Sequence, residues 1–310
     1  MARWTWVLAG AVAIGLTASP EATWQADRPR SVYVTITDSK GAPVTDVDAG
    51  DVIVKAGGKD ATVVSVGRAE KPMTIIVLVS DEGSGVFRLP LAHFIQRLQT
   101  KAQFALNSVV AQSLRVVDFT SAGGPLSAGL DQLGPRGRTP GGQLLEAISE
   151  AALELRKRED ERPVLLVLSV GGVEHTSLPG DRVLEDLRKS RATMVVVSTT
   201  RAASRAQDEP AQPTNNISQE RAALAASEEF YGASDLNNVL DRGPSQSGGR
   251  RQEVITVTAL FAALEQSAVD LAGQYRIAFV LPSDTRPGER LSISTKRKGL
   301  TLRAPARLPN

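Results

Sequence analysis

The stretch Met73-Thr-Ile-Ile-Val-Leu-Val79-Ser80-Asp81-Glu-Gly-Ser-Gly85 decides the reading of the fold. A strand covered on one face alternates apolar and polar side chains. A near-continuous apolar run such as Met73–Val79 predicts a strand covered on both. The carboxylate and glycines that follow at once read as a loop. Two later runs repeat the pattern, Pro163-Val-Leu-Leu-Val-Leu-Ser169 and Thr193-Met-Val-Val-Val-Ser198. Helical spacing separates them. Leu144, Leu145, Ile148, Ala151, Ala152 and Leu155 share one face of a helix over Gln143–Arg158, and Asp181 opens another that runs to Lys189. Residues 87–110 also carry apolar positions at helical spacing (Leu91, Phe94, Ile95, Leu98, Phe104, Ala105), and Leu114–Thr120 is a short strand. Strands alternating with helices predict an α/β fold. It is a Rossmann-like, doubly wound, mostly parallel sheet with helices on both faces. Ligands of such sheets sit in the loops at the carboxyl ends of the strands. Here those loops begin at Ser80, Gly134 and Ser169.

Outward from this core, Ser31–Asp38 alternates β-branched and polar residues. Two further short strands follow around the turn Ala56-Gly-Gly-Lys-Asp60. A small β module over 30–70 thus precedes the core over 72–200. Residues 201–253 break the pattern and predict an irregular insertion, with short helices over 218–231 and 234–241 and a turn cluster over 243–249. Thr258–Ala272 is an amphipathic helix, and Gln274–Leu281 and the tail 290–303 are strands. The expectation is that 254–310 completes the core. At the other end, Met1-Ala-Arg3 and the uncharged run Trp4–Leu16 read as a secretory leader over 1–26. That run is shorter than the roughly 20 apolar residues of a membrane span. The chain is therefore expected to be exported, periplasmic or secreted. It touches a membrane only if the leader is retained.

Composition excludes several chemistries. The 310 residues contain no Cys and two His, which removes disulfide scaffolds, thiol nucleophiles, iron–sulfur clusters and multi-His metal sites. The 36 basic residues nearly balance 34 acidic ones, so charge gives no case for nucleic acid. All three Trp lie within the first 24 residues.

Four stretches together resemble the exported bacterial von Willebrand factor A-related (VWFA-related) proteins. They are Val34-Thr-Ile-Thr-Asp-Ser-Lys-Gly-Ala-Pro-Val44, the strand leading into Asp81, Gly137-Arg-Thr-Pro-Gly-Gly-Gln-Leu-Leu-Glu-Ala147, and Ser247-Gly-Gly-Arg-Arg251 followed by the last helix and Gln274-Tyr275. The resemblance implies a VWA fold. It also implies a divalent cation held by Asp-x-Ser-x-Ser after the first strand, by a loop Thr, and by the Asp of a Ser-Asp-Gly turn. Asp81 and Thr139 match two of these five positions, while Gly83, Gly85 and Val170 replace the others. Mg²⁺ relies on one or two carboxylates plus hydroxyls and waters in near-octahedral array. Losing a carboxylate and both hydroxyls predicts a degenerate, vestigial metal site and no cofactor. Rescue of Mg binding would have to come from Glu82, Ser84 or Glu174.

No motif assembles an enzyme. There is no phosphate loop of the Gly-Lys-Ser/Thr kind and no Gly-x-Ser-x-Gly elbow. Glu174 and His175 beside Ser169 or Ser177 evoke a hydrolase, the adjacent carboxylates Asp81 and Glu82 lack a partner at glycosidase spacing, and His93 reads as a helix packing or surface residue. The sequence predicts a non-enzymatic module that binds another protein, in the cell envelope. Its binding loops carry Glu82, Ser84, Arg138 and Glu174. The alternatives are metal-dependent Mg/Mn adhesion through Asp81 and Thr139, and a hydrolase using Glu174 and His175.

Overall fold

A computed structural model describes residues 29–137, 142–171, 174, 176–199, 219–283, 285–286 and 288–308. The proposed leader over 1–26 lies outside them. The central sheet contains β4 (Met73–Ser80), β5 (Ala102–Val109), β6 (Ser113–Thr120), β7 (Pro163–Ser169), β8 (Thr193–Thr199) and β9 (Arg250–Val254), in the order β6-β5-β4-β7-β8-β9. Only the edge strand β6 is antiparallel to its neighbour. The first strand, β4, lies at the centre, and Met73–Val79 is buried throughout. Helices α1 (Arg88–Leu98), α2 (Gly123–Gln132) and α6 (Val257–Ala272) bury Leu91, Phe94, Leu126, Leu260 and Leu264 against Ile75, Val77 and Val79. On the other face α3 (Leu144–Arg158), α4 (Gly180–Ser190) and α5 (Gln219–Ser247) pack on Ile76 and Leu78. The doubly wound α/β reading is correct.

Three local expectations change. The pattern over 87–110 splits into α1 and β5. Phe104, Ala105 and Leu106 are consecutive and all buried, which suits a strand covered on both faces better than a helix. The insertion predicted over 201–253 contains a 29-residue helix, α5, with Pro244 in its last turns. It also contains β9, whose sequence Arg-Arg-Gln-Glu-Val has no apolar signal because an edge strand pairs on one side only. A Cβ on Gly249 would fall 1.8 Å from the Met194 carbonyl oxygen, so only glycine lets the chain enter that edge.

The C-terminal strands do not join the central sheet. β10 (Tyr275–Val280) pairs between β1 (Arg30–Thr37) and β3 (Lys59–Arg68). β11 (Leu291–Thr295) pairs with β2 (Val52–Ala56), and β12 (Thr301–Arg303) with β1. The result is a second sheet of six strands in the order β11-β2-β3-β10-β1-β12. Three short strands bury too little on their own. Ile277 and Phe279 from the far end of the chain complete the cluster of Val32, Val34, Ile36 and Val54. Of residues 254–310, only α6 and the end of β9 serve the core.

Arg162 locks the two units together. It is 3% exposed, and among the described residues no carboxylate forms a salt bridge with it. Its guanidinium donates instead to Gln274 Oε1 at 3.0 Å and to the carbonyls of Ala69, Lys71 and Leu271, and it lies 5.4 Å from the centre of the Tyr33 ring. Burial pulls its pKa down to about 10.

Candidate functional site

β4 delivers Asp81 to the carboxyl end of the sheet, where the side chain is 1% exposed. A buried carboxylate must be hydrogen-bonded or paired, and this one is both. The chain turns sharply after it, with Glu82, Gly83 and Gly85 all in the left-handed region, at φ 50°, 83° and 70°. That turn points two amides at the carboxylate: Gly83 N–H donates to Oδ1 at 3.0 Å and Gly85 N–H to Oδ2 at 2.7 Å. A third donor comes from the loop after α2, where Arg136 Nη2 reaches Asp81 Oδ1 at 2.8 Å. The arginine is itself held in place. Its backbone N–H donates to the Gly83 carbonyl at 2.8 Å, and Nη1 donates to the carbonyls of Gln132 and Gly134, each at 3.1 Å.

The positions that differ from the metal-binding pattern are mutually consistent. A Cβ on Gly85 would lie 2.6 Å from the Pro135 nitrogen, so the loop carrying Arg136 closes over the place where a serine would stand. Val170 is 2% exposed and packs in the core below α1, and its N–H donates to the Ser80 carbonyl at 3.0 Å. Ser84 is exposed, and its hydroxyl accepts from Val86 N–H at 3.4 Å. Thr139 and Arg138 lie outside the described residues. Among the described residues no three His, Cys, Asp or Glu side chains gather as a metal site. Among the described residues, the Asp81 carboxylate is engaged on both oxygens, positions 83 and 85 carry no hydroxyl, and a guanidinium supplies positive charge beside it.

Glu174 occupies a different environment from the one expected of a binding-loop or catalytic residue. It is 3% exposed, and its two oxygens accept the N–H groups of Leu144 at 3.1 Å and Leu145 at 2.9 Å. These are the first amides of α3, whose own N-cap residue, Gln143, makes no capping bond. An acceptor supplied from another loop satisfies them and suits the positive end of the helix. Burial pushes the Glu174 carboxyl up to about 7, against the pull of those two amides and with a further push from Glu146. Its carboxylate is buried and engaged as the cap of a helix. His175 lies outside the described residues. His93 is on the surface of α1, with Nδ1 3.4 Å from Glu265.

Sequence reasoning singled out Asp81, as a vestigial metal ligand, and did not single out Arg136. The available signal was a cation in the Gly134–Gly137 loop opposite a carboxylate that had lost its hydroxyl partners. The backbone bond from Arg136 N–H to the Gly83 carbonyl, which no side-chain pattern encodes, places its guanidinium beside Asp81.

With β4 central, the strand order reads 3-2-1-4-5-6 within the sheet, the third strand runs antiparallel, and an aspartate directly follows the first. The core has a von Willebrand factor A-type fold. No protein-family model and no curated protein matches the chain. Solved structures similar to this chain include proximal thread matrix protein 1 from the mussel byssus with a zinc-occupied MIDAS motif. It is 15% identical over 68% of this chain and 48% of its own, with a TM-score of 0.42. The chain thus spans about half the length of that protein. The SpRpn10 VWA domain is 11% identical over 65% and 97%, with a TM-score of 0.42. A von Willebrand factor type A structure from Catenulispora acidiphila is 10% identical over 90% and 73%, with a TM-score of 0.41. Among the described residues no helix is long and apolar enough to cross a membrane.

Proposed function

We propose that this protein is an exported, non-enzymatic module that binds another protein in the cell envelope through the loops at the carboxyl end of its VWA-type sheet, without a metal. The observation that carries the reading is the Asp81–Arg136 pair at 2.8 Å. In a metal-dependent site the aspartate needs an ion to neutralise it, and the ion keeps a position open for the partner's carboxylate. Here the neutralising charge is covalently part of the chain. Recognition then rests on shape and on ordinary polar and apolar contacts. Export is supported by the leader pattern of Met1–Ser19. The non-enzymatic reading is supported by the engagement of Glu174 as a helix cap, which removes the carboxylate a Glu174/His175 hydrolase would use.

The test is capture of partners from envelope extracts on the immobilised protein, with and without a chelator. The reading predicts the same captured proteins in both conditions. Capture that disappears with chelator and returns with Mg²⁺ would establish metal-dependent adhesion instead.

A further inference from the structure

At the pole opposite Asp81, the two sheets leave a cleft of about 310 Å³ between them. That volume lies at the lower end of the range for small-molecule sites. Its place follows from the topology. Helix α4 runs away from the carboxyl end of the sheet, so its last turns reach the opposite end, where β1 and β10 approach. The apolar floor is Val32, Leu184, Leu187 and Ala192, all buried.

The rim is strongly cationic. Arg188, Arg191, Arg276 and Arg307 all line the cleft, against two carboxylates, Glu159 and Glu161. Glu161 is drawn toward Lys71, 3.5 Å away. The whole chain carries a net charge of only +2, so this is a local concentration of guanidinium groups. Arg307 donates to the Gly288 carbonyl at 3.1 Å. Among the described residues Arg191 and Arg276 form no salt bridge with a carboxylate, and Arg276 lies near the Tyr33 hydroxyl, which feels its charge. Glu159 and Arg191, which both line the cleft, are the left-handed C-caps of α3 and α4 (φ 54° and 59°), so the ends of two helices fix where these side chains leave the backbone.

We propose that the cleft binds a small organic anion with an apolar body. Arg191 and Arg276 hold the anionic head, and Val32, Leu184 and Leu187 receive the body. The site is separate from the loops around Asp81, and it stands or falls independently of the protein-binding reading.

The test uses the full chain and the fluorescent probe 1-anilinonaphthalene-8-sulfonate, an aromatic sulfonate of suitable size. The proposal predicts saturable one-to-one binding that dodecanoate displaces at least tenfold more effectively than dodecanol. The double variant Arg191→Gln/Arg276→Gln should weaken binding at least tenfold with thermal unfolding unchanged, and Asp81→Ala should leave it intact. Absence of saturable binding, equal displacement by the uncharged alcohol, or equal affinity in the arginine double variant would each overturn the proposal. If the double variant fails to fold, the dodecanoate–dodecanol comparison on the wild type still decides it.

Discussion

Removing Arg136 tests the site most sharply, because its effect can be worked out from the geometry. Asp81 is 1% exposed and accepts three hydrogen bonds, two from backbone amides and one from Arg136. Stripping the partner from a fully buried ion pair costs about 3–5 kcal/mol. Two facts reduce that here. The Gly83 and Gly85 amides stay in place, and the Arg136 side chain is 26% exposed, so water reaches the vacated position. Arg136→Ala should therefore destabilise the fold by about 2 kcal/mol at neutral pH. Most of this loss belongs to the stranded charge, so making position 81 neutral should recover it. Urea unfolding of the wild type, Arg136→Ala, Asp81→Asn and the double variant closes the cycle. The expected coupling is about 1.5–2 kcal/mol. Additivity within about 0.3 kcal/mol would mean that the two side chains are neighbours without mutual stabilisation, and the internal-cation argument would fail.

Two further outcomes follow from the same residues. Gly85→Ser adds the hydroxyl of the metal-binding pattern, but it places a Cβ 2.6 Å from the Pro135 nitrogen at φ 70°. It should destabilise by about 3 kcal/mol in urea unfolding, without creating Mn²⁺ affinity. Glu174 gives a pH dependence of defined sign. Its carboxyl is raised from 4.5 to about 7 in the folded chain, so folding binds its proton more tightly than unfolding does. The stability it contributes is present below about pH 4.5 and is lost as pH rises through 7. Relative to Glu174→Gln, the wild type should lose about 3 kcal/mol between those limits. A difference that is flat with pH would show that the two α3 amides hold the carboxylate ionised.

The buried strands were legible because their chemistry is local. Met73–Val79, Pro163–Ser169 and Thr193–Ser198 carry few polar side chains, and a sheet covered on both faces is the environment that suits them. β9 was not legible, since Arg250–Val254 sits at an edge and its position is fixed by Gly249 pressing on Met194. The partner of β10 was not legible either. Alternation marks a strand and the face it buries, but not which of two sheets it joins. At the site, the losses at Gly83, Gly85 and Val170 were visible as losses. Their compensation was not, because Arg136 reaches Asp81 through a loop held by main-chain hydrogen bonds. The capping role of Glu174 was not legible for a related reason. Its role depends on a helix start, Gln143-Leu144-Leu145, that lacks a cap of its own.

Calorimetric titration of the wild-type protein with Mn²⁺ at neutral pH, repeated on Asp81→Ala, addresses the central claim most directly. With Arg136 neutralising Asp81, no saturable heat is expected up to millimolar ion, and the two proteins should be indistinguishable. Tight, stoichiometric Mn²⁺ binding by the wild type that vanishes in Asp81→Ala would contradict the account, because the aspartate would then be holding a metal rather than an arginine.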